Sequence, residues 1–105
     1  MTKYLVLYRS TATATEQMAQ GTPEQAQAGM DAWMAWAERA GDAVVDLGSP
    51  LAVIEAGGDG GDPIGGYSIL QADSTEALNA VLEGHPHSAM GGTIETLEFL
   101  VMPGM

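Results

Sequence analysis

The sequence lacks cysteine entirely. Its 105 residues include no cysteine and only two histidines, so disulfide bonds, thiolate metal sites and thiol nucleophiles are all excluded. Secreted domains of this size more often carry disulfide bonds, whereas a chain without thiols suits a reducing compartment. The composition therefore predicts a cytoplasmic protein.

Positive charge is also scarce. Lys3, Arg9 and Arg39 oppose 14 acidic residues, which gives a formal net charge of -11. Such a chain has no cationic surface that neutralises phosphates, so we expect no nucleic-acid partner, and anionic membranes would repel it. The apolar run near the amino terminus is too short for a membrane helix and precedes no cleavage-site pattern, so no targeting or membrane segment is predicted.

Length and apolar content together predict one domain. A chain of 105 residues with 46% hydrophobic residues can bury a core without a metal or a disulfide. We therefore expect residues 1–105 to form a single unit.

The first half of the chain reads as a strand, a helix and a bent strand. Lys3 to Arg9 alternates with period two, and both sets of alternating residues are largely apolar, which predicts a strand covered on both faces. Ser10 to Gly21 is predicted to be a loop with a helical turn around Glu16 to Gln20. Thr22, Pro23 and Gln25 form a capping box with proline at the first helical position, and this helix is expected to end at Gly41. Ala43 to Leu47 and Leu51 to Glu55 predict a second strand that bends at Gly48-Ser49-Pro50.

The second half predicts two strands around a second helix. A glycine-rich hairpin loop from Gly57 to Gly66 precedes a strand from Tyr67 to Ala72. Asp73 or Ser74 caps a helix that Gly84 ends, and a loop from His85 to Gly92 leads to a last strand from Thr93 to Val101.

The order of these elements is β, α, β, β, α, β. Two right-handed βαβ units give an α+β, ferredoxin-like fold: a four-stranded antiparallel sheet with both helices on one face. The other face is then bare and apolar. Since water disfavours so large an apolar surface, we expect a homodimer in which two sheet faces pack together as a dimeric α/β barrel.

Six short segments occur in order along nearly the whole chain: Lys3 to Tyr8, Met30 to Trp33, Leu47 to Leu51, Gly65 to Ile69, Glu76 to Leu78, and Ile94-Glu95. Together they resemble the YCII-related family, in the branch named for its Asp-Gly-Pro-Phe stretch. The resemblance implies a ferredoxin-like fold and a dimeric barrel, but members mostly lack an assigned activity. The chain reads Gly60 to Gly66 where many members carry the Asp-Gly-Pro-Phe stretch. It has no histidine in Thr22 to Gly29, where other branches place the histidine of a proposed histidine–aspartate dyad.

Two histidines are the candidates for acid/base chemistry. His85 and His87 flank Pro86, and either could act as a general base, with Asp31 or Asp46 orienting the imidazole. The alternative is that the histidines are exposed in a loop shaped by the proline and that the aspartates are solvated. Two histidines fall short of a zinc site, and no lysine follows the glycine-rich loop as a phosphate site requires, so we expect no metal and no cofactor.

A second group of residues could bind a ligand. Trp33 and Trp36, flanked by Met30 and Met34, could line an apolar cavity between the long helix and the sheet, although core packing explains the same spacing. Arg39 could hold a carboxylate or pair with Glu38 or Asp42. Ser49 could offer a hydroxyl to a ligand or simply form a turn.

Three functions are consistent with these residues. The first is a homodimeric protein that binds a small apolar or aromatic metabolite between the long helix and the sheet. The second is a cofactor-free acid/base enzyme that acts on such a metabolite through a loop histidine. The third is a purely structural, dimerising interaction module.

Overall fold

The structure, a computed structural model, describes residues 1–55 and 61–103. It contains four strands, β1 (Thr2–Arg9), β2 (Val44–Pro50), β3 (Ile64–Ala72) and β4 (Thr93–Glu98), and four α-helices, α1 (Ala14–Gln20), α2 (Pro23–Ala40), α3 (Thr75–Leu82) and α4 (Pro86–Ala89). A 3-10 turn, Gly41–Ala43, joins α2 to β2. Two predicted features lie partly outside the described residues: the glycine-rich loop at residues 57–60, and Gly104 of the break after the last strand.

The strands form one antiparallel sheet in the order β2-β3-β1-β4. Each β–α–β connection passes over one intervening strand: β3 lies between β1 and β2, and β1 lies between β3 and β4, as two βαβ units predict. The predicted α+β, ferredoxin-like fold is therefore confirmed, with the short helices α1 and α4 added to it.

The two faces of the sheet differ in what covers them. Tyr4, Val6 and Tyr8 of β1 and Leu70 of β3 are buried on the face that carries the helices. Their neighbours along each strand point the other way, to an open face that includes Leu5, Leu7, Ile69 and Leu97 and is only partly covered. Apolar residues thus occupy both faces, but the described chain fills only one of them.

The long helix α2 packs through its second half alone. Trp36 is buried, and Trp33, Ala37 and Ala40 pack against the core. The helix begins with the predicted capping box of Thr22 and Gln25 and ends at Gly41, which has a φ of +57°. The first half, residues 23–32, is exposed except at Gly29, and we call this part the overhang.

The structure corrects several predicted boundaries, including the start of β3, which is Ile64 and not Tyr67, and the predicted loop from His85 to Gly92, which contains α4. Residues 14–20 form a helix, α1, in place of most of the predicted loop, because Thr13 and Glu16 make a second capping box. β2 ends at Pro50, and 51–55 is not a strand, because β3 begins at Ile64 and offers no partner beyond the Leu51–Gly65 hydrogen bond. β4 ends at Glu98, short of the predicted Val101, although the Phe99 amide still donates to the Lys3 carbonyl.

Candidate aromatic binding site

Five rings meet where the end of β1, the middle of α2 and the start of α4 come together. We call these residues the aromatic cluster: Tyr8, Trp33, Trp36, His85 and His87. The His85 ring lies 4.6 Å from Trp33 and 4.4 Å from Trp36 between centroids, both edge to face, and it stacks on Tyr8 at 5.0 Å. Edge-to-face and stacked contacts at these distances are favourable for aromatic rings, so the cluster is a packed unit.

His85 occupies the centre of the cluster because of the local turn. Gly84 adopts a φ of +73°, which reverses the chain after α3, and Pro86 starts α4 at its first position. His85 is the N-cap of α4, and its Nδ1 accepts a hydrogen bond from the His87 amide at 3.0 Å. The imidazole is therefore held from one side by its own helix.

The other nitrogen of this ring has no polar partner. His85 is 0% exposed, and its Nε2 makes no hydrogen bond with any described residue. A buried polar atom without a partner is uncommon and costs about 1–3 kcal/mol. This atom distinguishes the cluster from an ordinary apolar core.

Burial keeps the His85 imidazole neutral. Burial, together with the smaller effects of the nearby His87 and Arg39, lowers the pKa of His85 to about 4. At neutral pH the ring therefore carries one proton, and the hydrogen bond from the His87 amide decides which nitrogen holds it.

His87 is anchored by the backbone of β1. Its Nε2 lies 2.7 Å from the Arg9 carbonyl oxygen, which can only accept, so this nitrogen carries a proton. The register of β1 against β3 shifts between Tyr8 and Arg9, which leaves this carbonyl available. Gly92 passes so close that a Cβ there would overlap the His87 ring, which explains the glycine.

Two consecutive hydrogen bonds made by buried hydroxyl groups hold Tyr8 of the cluster in place. Tyr8 Oη donates to Ser68 Oγ at 2.8 Å, and Ser68 Oγ donates to the Leu47 carbonyl at 2.6 Å. Burial raises the pKa of the Tyr8 phenol, and the hydrogen bond to Ser68 opposes part of that rise. Tyr8 therefore stays a neutral phenol at neutral pH.

Solvent reaches the cluster through Trp33 and His87. Tyr8 is 3% exposed and Trp36 is 2% exposed, whereas Trp33 is only partly buried. Gly29 lies four residues before Trp33 on the same side of α2, and a Cβ built there would meet no atom within 4 Å. The Cβ position of Gly29, one helical turn before Trp33, is therefore open.

The two predicted aspartates lie outside the cluster. Asp31 is exposed on α2 and accepts from Gln27 at 2.9 Å, while Asp46 accepts from the Gly48 amide at 2.8 Å and from Tyr67 Oη at 3.5 Å. Neither is joined to a histidine by a hydrogen bond in the described part of the chain. Their role in orienting a base stays a prediction.

Arg39 and Ser49 have simple local partners. Arg39 is exposed and donates to the Glu83 carbonyl at 3.1 Å, rather than forming an ion pair with Glu38 or Asp42. Ser49 is exposed and donates to the Pro50 carbonyl at 2.8 Å. Of the four residues predicted to bind a ligand, Trp33 and Trp36 come together with both histidines.

Away from the aromatic cluster, the described residues form a wide groove, but no cluster of metal ligands and no helix that could span a membrane. A wide groove of about 630 Å³ runs between α3 and β4, lined by residues that include Glu76, Glu83 and Ile94. Within residues 1–55 and 61–103 no group of three or more His, Asp or Glu side chains could hold a metal ion. None of the helices described is long and apolar enough to cross a bilayer.

Comparison with known proteins supports the fold class. The chain shares its ferredoxin-like architecture with a solved structure. It resembles the solved structure of 5-chloro-2-hydroxyhydroquinone dehydrochlorinase (TftG) from Burkholderia phenoliruptrix AC1100 in complex with 2,5-dihydroxybenzoquinone. The TM-score is 0.52 at 18% identity, covering 89% of this chain and 90% of that one. No family model matches the sequence, and no curated protein matches it.

Sequence reasoning did not select Tyr8, Ser68 or the Arg9 carbonyl. The alternation of β1 places Tyr8 on the same face as Tyr4 and Val6, which is a signal for burial but not for a site. Ser68 and the bulge at Arg9 have no readable signature, because both depend on pairing with distant strands.

Proposed function

We propose that this chain is a small, cytoplasmic, homodimeric, YCII-like protein that binds a small aromatic molecule at the aromatic cluster. The observation that carries this proposal is His85, a fully buried imidazole with one unpaired nitrogen enclosed by aromatic rings. Ligand sites are typically lined by apolar and aromatic side chains with a few polar atoms that fix orientation. The cluster has this composition.

The ligand enters where Trp33 now lies. Trp33 is the ring over His85 that reaches solvent, and the space beside Gly29 receives the indole when it moves. A planar ring then stacks among Tyr8, Trp36 and His85 in place of Trp33. The complex of TftG with 2,5-dihydroxybenzoquinone supports a planar ring of this size, since that protein has the same fold.

Calorimetric titration with 2,5-dihydroxybenzoquinone tests the proposal. We expect saturable binding to the wild-type protein and affinity at least ten-fold lower for Trp36→Ala, because that substitution removes one wall of the site. Trp33→Ala is expected to retain binding, since Trp33 covers the site rather than forming its floor.

Tyr4→Phe is the matched control, because Tyr4 is a buried aromatic residue of β1 outside the cluster. Its affinity should equal that of the wild type. Absence of binding to the folded wild-type protein contradicts the proposal and favours a purely structural, dimerising module.

Homodimerisation through the open face is the second part of the proposal. Leu97, Leu5 and Ile69 lie directly opposite one another across three adjacent strands, which makes an apolar row at the centre of that face. Two such faces packed together remove these side chains from water in both copies.

An acid/base enzyme is the second candidate, and the geometry of His87 favours it. Because His87 Nε2 donates to Arg9, the neutral ring presents Nδ1 as a free base. Asp31, Asp46 and Arg39 keep their predicted roles in orienting the base and holding an anionic group. Turnover of a hydroxylated ring that His87→Gln abolishes, and Tyr4→Phe does not, supports this candidate; equal turnover in both variants contradicts it.

A further inference from the structure

We propose that His85 binds the ligand as a hydrogen-bond donor, so that the ligand presents an acceptor oxygen: a quinone, phenolate or enolate oxygen on a planar ring. This inference rests on the proposed function and names its ligand class. It also assigns His85 a role opposite to that of a general base.

The position of the ring proton follows from one hydrogen bond. The His87 amide donates to His85 Nδ1 at 3.0 Å, so Nδ1 presents its lone pair and cannot carry the proton of the neutral ring. The proton then lies on Nε2. Because the donor is a backbone amide in the first turn of α4, which always carries its hydrogen, the assignment does not depend on the protonation of a second side chain.

The surroundings of Nε2 call for an acceptor. Among the described residues this nitrogen has no hydrogen-bond partner, and the rings of Trp33 and Trp36 pack edge to face against the imidazole. An N–H directed at an aromatic face makes only a weak contact. A ligand oxygen that replaces the Trp33 ring supplies a full hydrogen bond in a buried, low-dielectric environment, where such bonds are strong.

The charge near the site favours a partly negative oxygen. Arg39, one of three basic residues in the chain, lies close enough to His85 to disfavour a second positive charge on its ring. An aromatic amine would bring N–H donors and only a weakly accepting lone pair, delocalised into its ring, to face the Nε2 proton. Oxygen-bearing rings therefore fit, whereas aromatic amines do not.

Nitrogen-15 NMR of histidine-labelled wild-type protein tests the donor role at pH 7.5. We expect the Nδ1 of His85 to show the shift of an unprotonated nitrogen and Nε2 that of a protonated one, and we expect Nε2 to move on addition of 2,5-dihydroxybenzoquinone. A proton on Nδ1, or an Nε2 signal that does not respond while the quinone binds, overturns the inference.

A binding series separates this inference from the proposed function. The probes are 2,5-dihydroxybenzoquinone, 1,4-diaminobenzene and p-xylene, tested on the wild type and on His85→Phe, which keeps a ring but removes the donor. We expect the wild type to prefer the quinone at least ten-fold over both other rings, and His85→Phe to lose that preference. If the wild type binds all three alike, the inference fails alone; if it binds none, the proposed function fails with it.

Discussion

Ser68 is the hydrogen-bond partner of the buried Tyr8 phenol. Its hydroxyl is the acceptor for the Tyr8 phenol and the donor to the Leu47 carbonyl, and all of it is buried. The irregular pairing of β2 with β3 between Asp46 and Ser49 is what turns the Leu47 carbonyl toward Ser68. One hydroxyl therefore connects β1, β2 and β3.

Ser68→Ala tests this connection. The substitution leaves the Tyr8 hydroxyl buried without its partner, so we expect the free energy of unfolding to fall by about 2 kcal/mol in urea titrations. Adding Tyr8→Phe removes the stranded hydroxyl, and the double variant should lose less than the sum of the two single losses. Strict additivity contradicts a direct Tyr8–Ser68 interaction.

His85 gives the protein a pH-dependent stability. Its pKa is about 4 in the folded protein and about 6.5 when unfolded, so between these values the unfolded chain binds the additional proton. The contribution of His85 to the free energy of unfolding is therefore at its maximum above pH 6.5. It decreases as the pH drops toward 4 and stays constant below that, a total change of about 3 kcal/mol.

Urea unfolding of wild type and His85→Phe from pH 8 to pH 3.5 measures this effect. The carboxyl groups titrate in both proteins, so the difference between the two curves isolates the histidine. We expect that difference to change between pH 6.5 and 4; parallel curves contradict the buried neutral imidazole.

At the scale of the elements, alanine substitutions at two glycines should change the free energy of unfolding in opposite directions. Gly29 lies inside α2 with open space at its Cβ position, whereas Gly92 lies against the His87 ring beside α4. Gly29→Ala should raise the free energy of unfolding by about 1 kcal/mol, because alanine favours the helix. Gly92→Ala should lower it, since the new methyl group displaces the His87 imidazole. Thermal unfolding of both variants decides; a shift of the same sign contradicts this account.

Capping shows how far the sequence predicts the elements. Thr22, Pro23 and Gln25 predict the start of α2 correctly, because that signal precedes an apolar helical pattern. The same signal at Thr13 and Glu16 predicts no more than the helical turn around Glu16 to Gln20, since α1 has no buried residue and so no apolar period. The placement of His85 in the core was equally hidden, because it depends on rings from β1 and α2 that only the tertiary fold brings near.

At the scale of the molecule, the open face predicts association of two copies. Leu5→Asp places a charge at the centre of the Leu97–Leu5–Ile69 row, and we expect it to convert a dimer to a monomer in sedimentation velocity. Thr96→Asp is the matched control, because Thr96 is exposed on the other face of β4. A wild-type monomer, or a dimer retained by Leu5→Asp, contradicts the proposed interface.

The whole-molecule architecture is the level that the sequence predicts best. Strand alternation and helix periodicity are local properties, and together with right-handed connections they predict a four-stranded antiparallel sheet with both helices on one face, without knowledge of any side-chain contact. The aromatic cluster is a matter of long-range contacts, so sequence reasoning found its tryptophans and histidines as separate candidates and not as one site.

The two halves of α2 should differ in the rate at which their amide protons exchange with solvent. Residues 23–32 are exposed except at Gly29, while Trp36 fastens the second half through its indole N–H to the Val81 carbonyl at 2.9 Å. Amide protons in the first half are protected by helical hydrogen bonds alone, so they exchange with solvent through local fraying, and those near Trp36 exchange only when the domain unfolds. The exposed first half of α2, which precedes Trp33 in the chain, is thus the part of the helix that opens most readily.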